Sequence, residues 1–126
     1  MNKVLIIDDE EDFLLVLKKR LTSEGYSVVT ATNGVDAIGL ALLDPPDIII
    51  LDVLMPEMDG GQVLEELKDY SATRNIPVIL LTALFTKAEE KKYGSMSGDY
   101  IAIAKPPDTG KLLEQMKKLL NTTSVL

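Results

Sequence analysis

Polar side chains that could do chemistry stand directly after four short apolar runs of this chain: Asp8, Asp9, Asp52, Thr82 and Lys105. A run of four or five apolar residues is too short to span a membrane and is typical of a strand buried on both faces. The carboxyl ends of neighbouring parallel strands meet at one edge of a sheet, with the strands ~4.8 Å apart. We therefore expect these side chains to lie in one pocket.

Three carboxylates in one pocket repel one another unless a cation cancels their charge. Carboxylate and carbonyl oxygens are hard ligands that suit Mg²⁺, Mn²⁺ or Ca²⁺. A lysine and a hydroxyl beside such a site indicate an oxyanion, and phosphate fits both. One chemistry uses all five side chains. Asp52 attacks a phosphoryl group, Asp9 and Asp52 hold the metal with Asp8 assisting through water, and Lys105 and Thr82 each bind a phosphoryl oxygen.

Each of these residues also has an ordinary structural interpretation. The acids from Asp8 to Asp12 could simply be charges in the first turn of a helix, where the helix dipole favours negative charge, and this explains residues 10–12 well. Thr82 could simply begin a loop, and Lys105 could be a surface lysine. Their shared position at one predicted sheet edge favours the chemical interpretation over these separate ones.

Composition excludes several other kinds of site. The 13 basic and 20 acidic residues give a net charge of −7, which disfavours direct binding to nucleic acid or to an anionic membrane surface. The chain has no Cys and no His, which removes disulfides, thiolate metal sites and the Ser-His-Asp and Cys-His mechanisms. Residues 4–7 are too short an apolar stretch for a signal peptide, so a cytoplasmic protein is expected.

Strands and helices alternate five times in the predicted order. The strands are predicted over residues 4–7, 26–32, 48–51, 78–81 and 100–104. The first helix is predicted from Phe13 to a C-cap at Gly25, and the second begins after an N-cap at Asn33. The third is predicted over residues 61–70. The fourth begins at a capping box at residues 86–89, and the fifth covers residues 108–120. Continuous apolar strands separated by helices predict an α/β fold, a (βα)₅ arrangement whose parallel sheet is covered on both sides and has right-handed crossovers. Residues 1–126 are predicted to form one domain, with a frayed tail from about residue 121.

The sequence resembles the receiver domain of two-component response regulators over its whole length. The resemblance lies in residues 4–10 (VLIIDDE), residues 52–60 (DVLMPEMDG), Thr82-Ala83 and Lys105-Pro106, in this order and at this spacing. It implies a doubly wound (βα)₅, flavodoxin-like fold with strand order 2-1-3-4-5, an order already known for this family. The order of the strands is therefore an implication of the resemblance, whereas the alternation of strands and helices comes from the sequence pattern.

The resemblance also implies a role for each site residue. Asp52 would be the phosphoacceptor, Thr82 the switch hydroxyl and Lys105 the lysine that binds phosphate. Mg²⁺, with Mn²⁺ as an alternative, would be held by the pair Asp8 and Asp9, by Asp52 and by the backbone carbonyl of Leu54. The Lys105–Pro106 bond would be cis. Such a domain is not an enzyme, since it catalyses only its own phosphorylation and dephosphorylation.

The expected partners follow from the same resemblance. The phosphodonor would be a sensor histidine kinase or a histidine phosphotransfer protein, with small phosphodonors as substitutes. Phe13, Val16 and Pro107 are candidate docking residues, although Phe13 could equally belong to the core. The signal would leave through the face formed by predicted helix four, strand five and helix five, toward a downstream protein, an output domain or a second copy. No membrane partner is expected.

One departure from the family pattern keeps an alternative open. The switch aromatic of the family lies three residues before the lysine, where this chain has Ala102. Tyr100 lies ~6.6 Å farther back along the strand. The alternative function is therefore a receiver-like interaction module that signals without phosphorylation. A phosphatase of the haloacid dehalogenase type also uses a strand-end Asp, but it expects a second acid where this chain has Leu54.

Overall fold

Five parallel strands form one sheet in the order β2-β1-β3-β4-β5. The structure is a computed structural model that describes residues 2–53, 60–83 and 100–124. The strands are β1 (Lys3–Ile7), β2 (Ser27–Ala31), β3 (Ile48–Asp52), β4 (Val78–Thr82) and β5 (Tyr100–Ala104). The parallel sheet and its order confirm the predicted doubly wound fold.

Four helices lie in the described part of the chain: α1 (Glu11–Ser23), α2 (Gly34–Leu43), α3 (Gly60–Asp69) and the C-terminal helix (Thr109–Ser124). The helix predicted from the capping box at residues 86–89 lies outside the described residues, as does Leu54. No helix in the described ranges combines the length and apolar character that a membrane span requires.

The helices cover both faces of the sheet, and each face has its own apolar cluster. One face buries side chains of α1 and the C-terminal helix, namely Leu14, Leu17, Leu21, Leu112, Met116 and Leu120. The other face buries side chains of α2 and α3, namely Ala37, Ile38, Ala41, Val63 and Leu67. These are the predicted apolar stripes, because their spacing follows the helical period. Four predicted members are only half-buried at the cluster rims: Leu42, Leu64, Leu113 and Leu119.

Short-range signals set the ends of several elements. The φ angle of Gly25 is 96°, which ends the turn after α1 in a conformation that a side chain would strain. The Asn33 side chain accepts a hydrogen bond of 2.8 Å from the backbone N–H of Asp36, which confirms the predicted N-cap of α2.

The C-terminal helix is longer than predicted, while the fraying of the tail from about residue 121 stays a prediction. It runs to Ser124, four residues beyond Leu120, so residues 121–124 are helical. Extending a helix that has already formed costs little, and the segment from Asn121 to Ser124 contains no Gly or Pro to stop it. A single domain over residues 1–126 stays a prediction.

Candidate functional site

The strand register places the chemically capable residues at one edge of the sheet. Ile7 of β1 pairs with Leu51 of β3, so Asp8 and Asp52 follow at the same level. Backbone hydrogen bonds hold the chain just beyond these strands. The N–H of Asp8 donates to the carbonyl of Ala31, and the N–H of Lys105 donates to the carbonyl of Thr82. The sheet therefore fixes the backbone from which these side chains project.

Three aspartates gather at this edge. Asp8, Asp9 and Asp52 each offer one carboxylate oxygen, and these oxygens lie within 4.8 Å of one another. Asp8 and Asp52 are buried, with 1% and 4% of their surface exposed, whereas Asp9 is exposed. This set of hard oxygen donors, open to solvent on the side of Asp9, fits a divalent cation such as Mg²⁺. The fourth predicted ligand, the carbonyl of Leu54, lies outside the described residues.

Lys105 supplies positive charge to the cluster. Its ammonium donates to Asp8 Oδ2 at 2.7 Å and to Glu10 Oε1 at 2.5 Å, and it lies 3.6 Å from Asp52 Oδ2. The Lys105 side chain is only 10% exposed. The ammonium also lies over the ring of Phe13, 4.7 Å from its centroid, within the range of a cation–π contact.

The Lys105 ammonium stays charged in this setting. Burial lowers the pKa of Lys105, but hydrogen bonds to Asp8 and Glu10 and the charges of Asp8 and Asp52 outweigh it, so the pKa lies above its ordinary value. A permanently charged lysine beside Asp52 can neutralise an oxyanion bound there.

Thr82 ends β4 next to this group. Asp52 pairs with Leu81, so Thr82 lies one residue farther along its strand. Thr82 is buried and pairs with Ala104, directly before Lys105. On the same strand, Ala102 pairs with Leu80 and is half-buried. The Lys105–Pro106 peptide bond is cis, which confirms that expectation.

The close approach of α3 fixes the chain after Asp52. A Cβ atom at Gly60 would lie 2.6 Å from the Val53 Cα and 2.7 Å from the Asp52 carbonyl oxygen, closer than real Cβ contacts. The N–H of Gly60 donates to the carbonyl of Val53 at 2.8 Å. Any side chain at Gly60 would therefore push α3 away from the end of β3. The sequence predicted only a turn here.

Two further residues at the site were not predicted as members. The pattern assigned Glu10 to the acidic first turn of α1, but its carboxylate instead binds Lys105. Phe13 was predicted as a docking or core residue, and its ring packs partly against the core beneath Lys105. The position of Glu10 directly after the acid pair was the available signal. Pairing with a residue 95 positions away is not visible in a sequence pattern.

Comparison with known proteins identifies a family for this chain. A family model described as the response regulator receiver domain matches residues 4–117. The response regulator PleD of Caulobacter vibrioides is 42% identical over 117 residues, which cover 93% of this chain and 26% of that protein. The chain thus spans about a quarter of the length of that curated relative.

Solved structures give a similar result. The signal receiver domain of a signal transduction histidine kinase from Syntrophus aciditrophicus superposes with a TM-score of 0.84 at 35% identity, covering 100% of this chain and 95% of that chain. The response regulator protein TrrA of Thermotoga maritima, solved in complex with Mg²⁺-BeF, superposes with a TM-score of 0.77 at 32% identity. That match covers 94% of this chain and 99% of that chain.

Proposed function

This chain belongs to the response regulator receiver domain family of two-component systems, and we propose that it accepts a phosphoryl group on Asp52. The observation that carries the proposal is the buried Asp52 carboxylate beside two further aspartates, with the Lys105 ammonium 3.6 Å away. A nucleophilic carboxylate, a place for a divalent cation and a fixed positive charge are the parts that phosphoryl transfer needs.

The transfer balances without any other group of this chain. A carboxylate oxygen of Asp52 attacks phosphorus, and the bond from phosphorus to a histidine nitrogen of the donor breaks. The electron pair stays on that nitrogen, and the product is an acyl phosphate. This chain contains no His, so the phosphohistidine belongs to a sensor kinase or a phosphotransfer protein. Acetyl phosphate would replace it by releasing acetate.

Mg²⁺, with Mn²⁺ as a substitute, would be held by Asp8, Asp9, Asp52 and the Leu54 carbonyl, and when bound it supplies charge neutralisation for the phosphoryl oxygens. The Lys105 ammonium neutralises a further oxygen, and the Thr82 hydroxyl donates a hydrogen bond to another. These residue roles rest on the family resemblance together with the positions of the side chains. Apart from this reaction on itself, the domain is proposed to have no catalytic activity.

The donor is proposed to dock at the start of α1. Val16 and Leu15 leave 69% and 67% of their surface exposed on this helix, and Pro107 is half-buried beyond Lys105. Phe13 is half-buried and packs against the core, so its share in docking is limited to the part of the ring that remains exposed. An apolar helix surface next to the acidic edge suits a helical donor that presents its phosphohistidine to Asp52.

The output is proposed to pass through β5, the C-terminal helix and the helix predicted after residue 86. A phosphoryl group adds negative charge beside Thr82, which draws the loop after β4 inward and changes the partner that this face prefers. That partner is a downstream protein, an output domain or a second copy of the chain, with no direct contact to nucleic acid or membrane. The cytoplasmic location stays a prediction.

Incubation with Mg²⁺ and acetyl phosphate tests the proposal. Intact-protein mass spectrometry should show the gain of one phosphoryl group, and Asp52→Asn should abolish it. Asp47→Asn is the matched control. Asp47 directly precedes β3 at the opposite edge of the sheet, so this variant should show the same mass gain as wild type. A wild-type chain that gains no mass, and whose thermal stability does not respond to beryllofluoride with Mg²⁺, would support the interaction module without phosphorylation instead.

Mg²⁺ alone should also stabilise the fold. At a Mg²⁺ concentration about 100 times the dissociation constant, the free energy of unfolding should rise by about 2.7 kcal/mol. Asp9→Asn removes a carboxylate that is exposed in the described structure, so it should weaken this response without unfolding the protein. An equal Mg²⁺ response in wild type and Asp9→Asn, measured by thermal denaturation, would contradict Asp9 as a ligand.

A further inference from the structure

The Glu10 side chain contacts Lys105, and two hydrogen bonds fix the backbone of Glu10. Its N–H donates to Asp8 Oδ1 at 2.9 Å, and its carbonyl accepts a hydrogen bond of 3.0 Å from the N–H of Leu14. The Glu10 side chain makes no capping hydrogen bond to α1. Its carboxylate is instead bound by the Lys105 ammonium, although the side chain is 63% exposed.

The ammonium is thereby held at the start of α1. An ammonium has three protons to donate, and Asp8 and Glu10 each accept one. The ammonium also lies over the face of the Phe13 ring, which belongs to α1 and packs against the core. Asp52 is the most distant of the three carboxylates, at 3.6 Å. In this arrangement the positive charge of Lys105 is largely matched before any phosphoryl group arrives.

We propose that Glu10 competes with the phosphoryl group for Lys105 and releases the lysine when Asp52 is phosphorylated. Glu10 is thus a positioning residue that opposes the reaction by holding Lys105 away from its product. The inference rests on the proposed phosphorylation of Asp52. It names a residue that acts on that reaction through the lysine, without itself touching the phosphoryl group.

Burial decides which of the two close partners is exchanged. Asp8 is 1% exposed, so water cannot take the place of the lysine at its carboxylate. Glu10 is mostly exposed, and water can replace the lysine at little cost. A phosphoryl group carries a charge of about −1.5 to −2 at neutral pH, which attracts the ammonium more strongly than the single charge of Glu10 does.

Glu10→Gln tests the competition, because the amide keeps the shape of the side chain and removes its charge. With Mg²⁺ and acetyl phosphate, the rate constant for phosphorylation should rise roughly two- to fivefold, as expected for the loss of an exposed ion pair. Glu11→Gln is the matched control. Glu11 is the next acid along the chain and lies in the first turn of α1, but it does not pair with Lys105. Its variant should react at the wild-type rate.

Nuclear magnetic resonance gives a readout that a merely structural role would not move. When beryllofluoride and Mg²⁺ are added to the wild-type chain, the Glu10 carboxyl carbon should shift to the position of a solvated glutamate, while the Asp8 carboxyl carbon keeps its lysine contact. A Glu10 signal that does not move would overturn the proposal. So would equal phosphorylation rates for wild type, Glu10→Gln and Glu11→Gln.

The phosphorylation of Asp52 and the competition by Glu10 can fail separately. If the wild-type chain is not phosphorylated at all, the proposed function fails. If wild type is phosphorylated on Asp52 and Glu10→Gln is not faster, only the competition fails.

Discussion

The two edges of the sheet each hold a lysine among carboxylates, and the two groups differ in burial. At the edge where the strands end, Lys105 is 10% exposed and lies against the buried Asp8 and Asp52. At the edge where they begin, the Lys3 side chain is 22% exposed and pairs with Asp44, which is 76% exposed. The same residue types therefore form a buried cluster at one edge and a surface contact at the other.

At the edge where the strands begin, the hydrogen bonds around Lys3 involve backbone atoms. The N–H of Lys3 donates to Asp47 Oδ2, and the N–H of Asp47 donates to the carbonyl of Lys3. The Lys3 ammonium also donates to the carbonyl of Asp44. These bonds tie the end of α2 to the start of β1. Of these two lysines, Lys105 is the one whose side chain the sheet largely removes from water.

The largest expected difference between the two edges is in the stability cost of replacing a glycine. Gly60→Ala should lower the free energy of unfolding by about 2–3 kcal/mol, because its Cβ meets the backbone of Val53 and Asp52. Gly25 precedes β2 at the other edge, and a Cβ there meets nothing within 4 Å. Gly25→Ala should cost only about 1 kcal/mol, for its positive φ. Chemical denaturation measures both.

Substitution by asparagine distinguishes the steric collision at Gly60 from the positive φ at Gly25. Asn tolerates positive φ, so Gly25→Asn should be milder than Gly25→Ala. At Gly60 any Cβ collides, so Asn should be at least as harmful as Ala. If Asn rescues Gly60 as it rescues Gly25, the close approach of α3 to the end of β3 is not what requires glycine there.

The two lysines provide the next test. Lys105→Met should lower the free energy of unfolding by about 1–3 kcal/mol, because it leaves the buried Asp8 and Asp52 without their counter-charge. Lys3→Met should cost less than about 1 kcal/mol, as exposed pairs do. The free energies come from denaturation without Mg²⁺. Equal costs would mean that burial does not distinguish the edges.

The smallest expected effect is a loss of stability at alkaline pH, which comes from Tyr26 at the edge where the strands begin. Burial, and then the charge of Glu24, raises the pKa of Tyr26 above its ordinary value of 10.0. The folded state therefore binds this proton more tightly than the unfolded state does. The resulting stability is fully present below pH 10 and is lost as the pH rises toward the folded pKa.

Tyr26→Phe removes the titrating group, so its stability should fall less than that of wild type between about pH 9 and pH 11. Glu24→Gln removes only the second cause and should give an intermediate slope. A Tyr26→Phe variant with the same alkaline slope as wild type would show that Tyr26 does not contribute. Thermal denaturation across this pH range gives the measurement.

Local patterns were enough to predict most of the elements. The apolar stripe of α1, the N-cap at Asn33 and the glycine at residue 25 depend on residues within one or two turns of each other, and all three are confirmed. The boundary errors are of the same local kind. α1 begins at Glu11, two residues before the predicted start, and the C-terminal helix extends past Leu120.

The order of residues along the chain was sufficient for the alternation of strands and helices, because run length and periodicity decide which segments are strands. It was also sufficient for the edge at which the polar residues gather, because parallel strands end on one side. The order of the strands in the sheet came only from the family resemblance. The sequence pattern was not sufficient to tell which carboxylates bind Lys105 or why residue 60 must be glycine. Those depend on the register between strands and on how closely α1 and α3 approach the sheet. Such distances are set by packing between segments far apart in the chain, so they exist only in the folded molecule.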